Sequence, residues 1–302
     1  MTQVLIVGSV GIDTIETPFG RAENVLGGSL VYAAASASLL APVRVVGVAG
    51  DDLAPSETEF LAKRGVDLAG LEIVPGGRTF RWSGRYHYDL NSRDTLATHL
   101  NVLADFDPKV PLPFRTTPFV FLANVDPALQ ASVLRQVERP RFTVLDTMNF
   151  WIEGRRADLE RVLTHVDAFI VNDAEARQLT GQANLVKAAR AVQKLGPETV
   201  VIKKGEHGAL LFHRDQVFSA PAYPLEEVYD PTGAGDAFAG GFIGHLARVN
   251  RAEPEDLRRA VIVGSALASF AVEEFGVGRL ARVATKDLEA RIRAFADLSR
   301  FA

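Results

Sequence analysis

The residues best suited to chemistry stand together at Asp230-Pro231-Thr232-Gly233-Ala234-Gly235-Asp236. Directly after them Phe238, Phe242, Leu246 and Val249 recur at three- and four-residue spacing, which marks one buried stripe of a helix. The small residues therefore sit where that helix begins. Backbone N–H groups there lack internal partners and lie at the positive end of the helix dipole, so they can hold an anion. The small residues at 233 to 235 let a phosphate approach the backbone closely. Beside such an anion, Asp236 can accept the proton of a hydroxyl whose oxygen attacks phosphorus. The dipole is expected to keep this carboxylate ionised and weakly basic. A weak base suffices, because a loose phosphoryl-transfer transition state asks mainly for positioning and charge stabilisation. The competing structural reading is a tight turn at Gly233 and Gly235 with an acid that complements the dipole.

Other polar groups close apolar runs. Asn172-Asp173-Ala174-Glu175 follows Val166–Val171 and puts two polar side chains three apart on one helix face at the carboxyl end of a strand, which on its own reads as a capping box. Lys203-Lys204-Gly205-Glu206-His207-Gly208 joins two strand-like runs and by itself reads as a hairpin turn with solvated lysines. Gly8-Ser9-Val10-Gly11-Ile12-Asp13 leaves the first run, and Gly27-Gly28-Ser29 precedes an Ala-rich helix. Asp146-Thr147-Met148-Asn149 closes another run, as Asn124 and Asp126 close the one before it; each can instead satisfy local backbone groups. The histidines show no ligand spacing, so a zinc site has no support.

The elements that must position these groups read as α/β. Val4–Val7, Val43–Val48, Phe119–Leu122, Thr143–Leu145, Ala168–Val171 and Thr199–Ile202 are mostly continuous apolar runs, as strands covered on both faces are. Helices are expected at Ser29–Leu40, Ser56–Arg64, Pro127–Gln136, Ala157–His165, Asn184–Leu195 and Ala234–Arg248. The order predicts a doubly wound, mostly parallel sheet flanked by helices. Phe80 to Tyr86 breaks the rhythm with period-two alternation. Together with the polar stretch Ile12 to Val25 it suggests a small β flap; an ordinary edge strand with Arg81 and Arg85 in solvent fits the pattern as well. One domain over 1–302 is expected, with a lid from roughly 12–26 and 76–102 inserted in the core.

Composition excludes several classes. With 33 Lys+Arg against 37 Asp+Glu the net charge is −4, and no cationic run occurs, so nucleic acid is not an expected partner. Having no cysteine, the 302-residue chain can form no disulfide, thiolate nucleophile or Cys-ligated zinc, which fits a reducing cytoplasm. The chain enters a strand-like run at once, without a secretory pattern. Its most apolar stretches are interrupted by Pro42 and Arg44 or, at Ala260–Val272, too short to span a bilayer, so no membrane association is expected. Gly8-Ser9-Val10-Gly11 does not extend to a dinucleotide fingerprint, and no Walker sequence occurs.

The string from Asp230 to Asp236, followed by Ala-Phe-Ala-Gly-Gly-Phe, resembles the C-terminal signature of the ribokinase/PfkB family of small-molecule kinases. The resemblance implies a ribokinase-like fold with a small β-sheet lid. It also implies an ATP- and Mg²⁺-dependent phosphotransferase acting on a hydroxyl, expected to be a hydroxymethyl group, of a sugar; a nucleoside kinase or a catalytically silent sensor is the alternative. Carried over, Asp236 is the base and Gly233, Ala234 and Gly235 the anion hole. Asp13, Gly27, Gly28, Tyr32 and Asn149 meet the acceptor. Asn172, Glu175, Lys203, Gly205, Gly208, Thr232 and Ser269 meet the nucleotide, with Glu175 reaching Mg²⁺ through water. Ala268 to Gly276 resembles the block flanking adenine and a monovalent cation, K⁺, for which Asp230 is a ligand candidate. Tyr32 stands where the family commonly has Asn, which departs from a ribose- or fructose-type pocket. A homodimer through the lid is a further expectation.

Overall fold

The computed structural model describes residues 2–298 and Arg300. In chain order its strands are β1 (Val4–Val7), β2 (Gly11–Thr17), β3 (Gly20–Gly27), β4 (Val43–Gly50), β5 (Asp67–Val74), β6 (Phe80–Tyr86), β7 (Arg93–His99), β8 (Phe119–Leu122), β9 (Phe142–Asp146), β10 (Ala168–Asn172), β11 (Thr199–Lys203), β12 (Ala209–His213) and β13 (Gln216–Ala220). The helices are α1 (Ser29–Ala37), α2 (Pro55–Lys63), α3 (Pro127–Leu134), α4 (Asn149–Gly154), α5 (Arg156–Leu163), α6 (Asp173–Thr180), α7 (Leu185–Gln193), α8 (Ala234–Val249), α9 (Pro254–Ala271), α10 (Gly278–Arg282) and α11 (Thr285–Leu298).

A nine-stranded sheet runs in the order β13-β12-β11-β10-β9-β8-β1-β4-β5, with all strands in one direction except β12, which is antiparallel to both its neighbours β11 and β13. Its strands are apolar throughout because both faces are covered. Val4 and Ile6 join the core formed with α1, α8 and α9, while Leu5 and Val7 join the core formed with α3, α5, α6 and α7. Successive side chains on a strand point to opposite faces, so no position in β1 can be polar. The strand order reverses at β1, with β4 to one side and β8 to the other. In an open parallel sheet the ligand crevice lies beyond the carboxyl ends of the strands at such a point. Ser9, Asn124, Asp146, Asn172 and Lys203 all stand at or just beyond those ends.

A second, four-stranded sheet has the order β3-β2-β6-β7. It contains the expected flap segments. The edge-strand reading of Phe80–Tyr86 does not hold, because β6 is interior, parallel to β2 and antiparallel to β7. The expected helix Ser29–Leu40 ends at Ala37. Among the described residues no helix is long and apolar enough to cross a membrane.

Candidate active site

The turn into α8 is formed by the residues singled out above. Gly233 caps the helix in the left-handed region, at φ 74°, and a Cβ there would lie 2.4 Å from the Tyr32 ring. Both the backbone conformation and the close packing demand glycine. Asp230 is fully buried; one of its carboxylate oxygens accepts from Thr232 N (2.8 Å) and the other from Gly276 N (2.9 Å). It braces the turn against the segment after α9. Ala234 N donates to Pro231 O at 3.2 Å, so the expected trio of free amides is not fully free. The amides of Gly233 and Gly235 donate to no acceptor among the described residues.

Strand ends bring charge to this turn. Asp146 Oδ1 accepts from Thr147 N at 2.8 Å, and its Oδ2 lies 3.7 Å from Lys203 Nζ. Both side chains are largely buried, and a Cβ at Gly235 would lie only 2.6 Å from that Nζ, so the ammonium sits at the entrance of α8. Burial pulls Lys203 down, but the carboxylates of Asp146, Glu175 and Asp236 outweigh it and hold the ammonium charged. Asn172 and Glu175 form the reciprocal cap of α6: Glu175 N donates to Asn172 Oδ1 (2.8 Å), and Asn172 N to Glu175 Oε2 (2.9 Å). The cap and a place at the cavity are compatible, since Glu175 also lines it.

Asp236 stands in the first turn of α8. The expectation that the dipole keeps it a weak, ionised base is corrected here. Burial, and after it the Asp146 carboxylate, pushes its pKa up to about 7 against the opposing pull of Lys203 and Arg93. Desolvation and like charge outweigh a dipole that acts over one turn. Glu175 is likewise pushed up to about 7, chiefly by burial. Asp13 is buried at the start of the small sheet, and its carboxylate accepts no hydrogen bond among the described residues. Burial, then Asp230 and Asp236, raises it to about 8. Gly27 packs directly against its carboxylate, where a Cβ would lie 2.0 Å from Oδ2.

The small sheet closes over these groups. Tyr86 is buried, and its hydroxyl oxygen accepts from Thr232 Oγ1 at 3.2 Å, linking β6 to the α8 turn. Asn91, in the loop between β6 and β7, rests on Gly205. Arg93 begins β7, lines the cavity, forms no ion pair among the described residues and lowers the proton affinity of both Asp236 and Glu175. Sequence reasoning missed Arg93, because an arginine in the polar run Asp89–Asp94 reads as a solvated loop. Its only signal was membership of the flap.

All these walls enclose one cavity of about 1170 Å³. That exceeds the ~300–1,000 Å³ usual for a single small ligand and suits two. Every expected site residue lines it except Gly27 and Asp230. Tyr32 does so from beneath Gly233, with its hydroxyl buried and unpartnered among the described residues. Asp230, with each oxygen taken by an amide and no face on the cavity, is placed as a brace for the turn.

A sequence model described as "pfkB family carbohydrate kinase" matches residues 1–283. The chain belongs to the pfkB family. It is 32% identical over 284 residues to the cytidine kinase of Thermococcus kodakarensis, covering 91% of this chain and 98% of that one. Identity to the 2-dehydro-3-deoxygluconokinase of Thermoproteus tenax is 27% over 243 residues, covering 74% of this chain and 72% of the relative. In fold this pfkB member is similar to the nucleoside kinase of Methanocaldococcus jannaschii, with TM-score 0.77, 17% identity and coverage of 97% and 99% of the two chains. The chain is therefore a phosphotransferase with an alcohol acceptor, a sugar or nucleoside kinase. Its ribokinase-like fold comprises the large, mostly parallel sheet and the separate small one.

Proposed function

We propose that the chain transfers the γ-phosphoryl group of ATP to a hydroxymethyl group of a nucleoside. The observation that carries the acceptor class is the row Phe80, Trp82 and Tyr86, residues on one face of β6 that all line the cavity with Asp13. Trp82 is the register partner of Asp13 across the parallel β2–β6 pair. A nucleoside needs both kinds of group: ring faces to stack its base, and a carboxylate to accept from its sugar hydroxyls. The Thermococcus relative, named as a cytidine kinase and matched over nearly its full length, supports the same reading.

The chemistry follows from the charges around α8. Asp236 takes the acceptor proton as the oxygen attacks, and a pKa near 7 makes it a better base at neutral pH than an ordinary carboxylate. The amides of Gly233 and Gly235 and the Lys203 ammonium stabilise the migrating phosphoryl group from one side. Arg93 approaches from the small sheet, which acts as the lid. Asp13 holds the acceptor hydroxyls, and closure of the lid excludes water and limits ATP hydrolysis.

Among the described residues no group of three or more His, Cys, Asp or Glu could hold a metal alone. That fits Mg²⁺, which keeps several waters and binds largely through the nucleotide phosphates. Glu175 and Asn172 are the residues that would face it. Bound there, the ion would neutralise charge on the donor phosphates.

The test measures ADP release with ATP, Mg²⁺ and a panel of ribonucleosides, deoxyribonucleosides and sugars. The proposal expects kcat/KM for the best nucleoside to exceed that of every free sugar by ~10² or more, the scale of a stacked base. A free sugar that matches or surpasses the nucleosides overturns the acceptor assignment; ligand binding without ADP release overturns catalysis.

A further inference from the structure

On the other side of the α8 turn from Asp13, the cavity continues between the segment after β13 and the end of α9, where Tyr223, Ala268, Ser269 and Val272 line it. Behind this wall lies Arg291 of α11, which does not itself line the cavity. Its guanidinium is sandwiched between two rings, 4.1 Å from the centroid of Tyr223 and 4.0 Å from that of Phe270. Its Nη1 donates to Ser269 Oγ and its Nη2 to Glu273 Oε1, both at 2.7 Å. Glu273 is held in turn by Arg279 at 2.6 Å, and Arg279 also lies over Phe270. The Arg291 side chain is only 13% exposed. Ser269 Oγ donates its hydrogen bond to Ala266 O at 2.7 Å, so its hydroxyl has a fixed orientation.

We propose that Arg291 is a positioning residue for the nucleobase of the phosphate donor: it fixes Tyr223 and Ser269 as a preformed wall and so ties the C-terminal helix to donor affinity. The inference rests on the reading of ATP as donor. A planar cation stacked between two rings, with both remaining edges hydrogen-bonded, holds those rings in one orientation. A wall ordered before the ligand arrives spares the entropy of ordering it on binding. Lysine can replace the charge but not the stacked plane or the paired donation to Ser269 and Glu273.

The test compares wild type with R291A and R291K, measuring KM for ATP, KM for the acceptor, kcat and Tm. Inhibition by inorganic tripolyphosphate, a donor mimic with no base, is measured alongside. The proposal expects R291A to raise the ATP KM by ~10-fold or more, with R291K recovering only part of that loss. Acceptor KM, kcat and the tripolyphosphate inhibition constant stay within about twofold in both variants, because the phosphate end of the site is untouched. Equal weakening of ATP and tripolyphosphate, or a fall in Tm with ATP KM unchanged, overturns the inference and leaves Arg291 as a packing residue. R291K carries the same comparison if R291A does not fold. A wild type that binds no ATP overturns the donor reading itself, a result distinct from ATP binding that is insensitive to position 291.

Discussion

Replacing Lys203 with Met removes the ammonium that Asp146, Glu175 and Asp236 share while preserving most of the side-chain volume. Its Nζ lies 3.7 Å from Asp146 Oδ2, with both side chains largely buried. At an effective dielectric constant of about 20, that separation corresponds to roughly 4 kcal/mol of attraction. Asp146 escapes part of the loss by taking up a proton, so a net destabilisation of about 2–3 kcal/mol is expected, read as a Tm lower by roughly 5 °C. The catalytic consequence has a definite sign. Lys203 lowers the proton affinity of Asp236 and Glu175, so its removal raises both. Only the ionised form of Asp236 can accept a proton, so kcat/KM rises with pH along a limb that lies near 7 in the wild type. In Lys203→Met this limb moves upward by about one unit, and the plateau falls by ~10²–10³ because the ammonium no longer meets the phosphoryl group. The assay is kcat/KM from pH 5.5 to 9.5 at saturating fixed Mg²⁺. A limb that stays in place with a plateau within about threefold of wild type would refute the placement of Lys203 at the centre of the site.

Asp13→Asn is expected to abolish acceptor binding while making the free protein more stable in alkali. The folded-state pKa of Asp13 is about 8 against an ordinary value of 3.8, so ionising it costs stability progressively between those limits. The variant should therefore melt like wild type near pH 3.5 and progressively higher than it as the pH rises to 8 in differential scanning calorimetry; an advantage that shrinks as the pH rises would contradict the sign. Arg93→Ala is expected to lower kcat by ~10–10² with little change in KM for ATP, measured by steady-state kinetics; a change confined to KM would place Arg93 in ground-state binding instead.

Much of this architecture could be read before any coordinates. The six apolar runs became strands of the large sheet because each is covered on both faces, a state that only continuous apolar sequence tolerates. Strand β5 escaped notice because it lies at an edge, is largely solvated and is interrupted by Gly70, so its pattern carries no clean period. Strand β7 was hidden for the same reason, being exposed along nearly its whole length. At the site, the turn from Asp230 to Asp236 was legible because its chemistry is local: a helix start and its neighbouring acid lie within a few residues. Arg93 and the proton affinity of Asp236 were not. Both depend on groups that meet only in three dimensions, with Asp146 and Lys203 arriving from separate strand ends and Arg93 from the small sheet. The dipole argument for Asp236 failed because it counted one local field and none of the distant charges.

The most direct measurement is single-turnover phosphoryl transfer by Asp236→Asn alongside nucleotide binding by calorimetry. The account predicts unchanged ATP affinity and fold with transfer slowed by ~10² to 10⁴, the usual scale of lost general-base help. Transfer at the wild-type rate would contradict it.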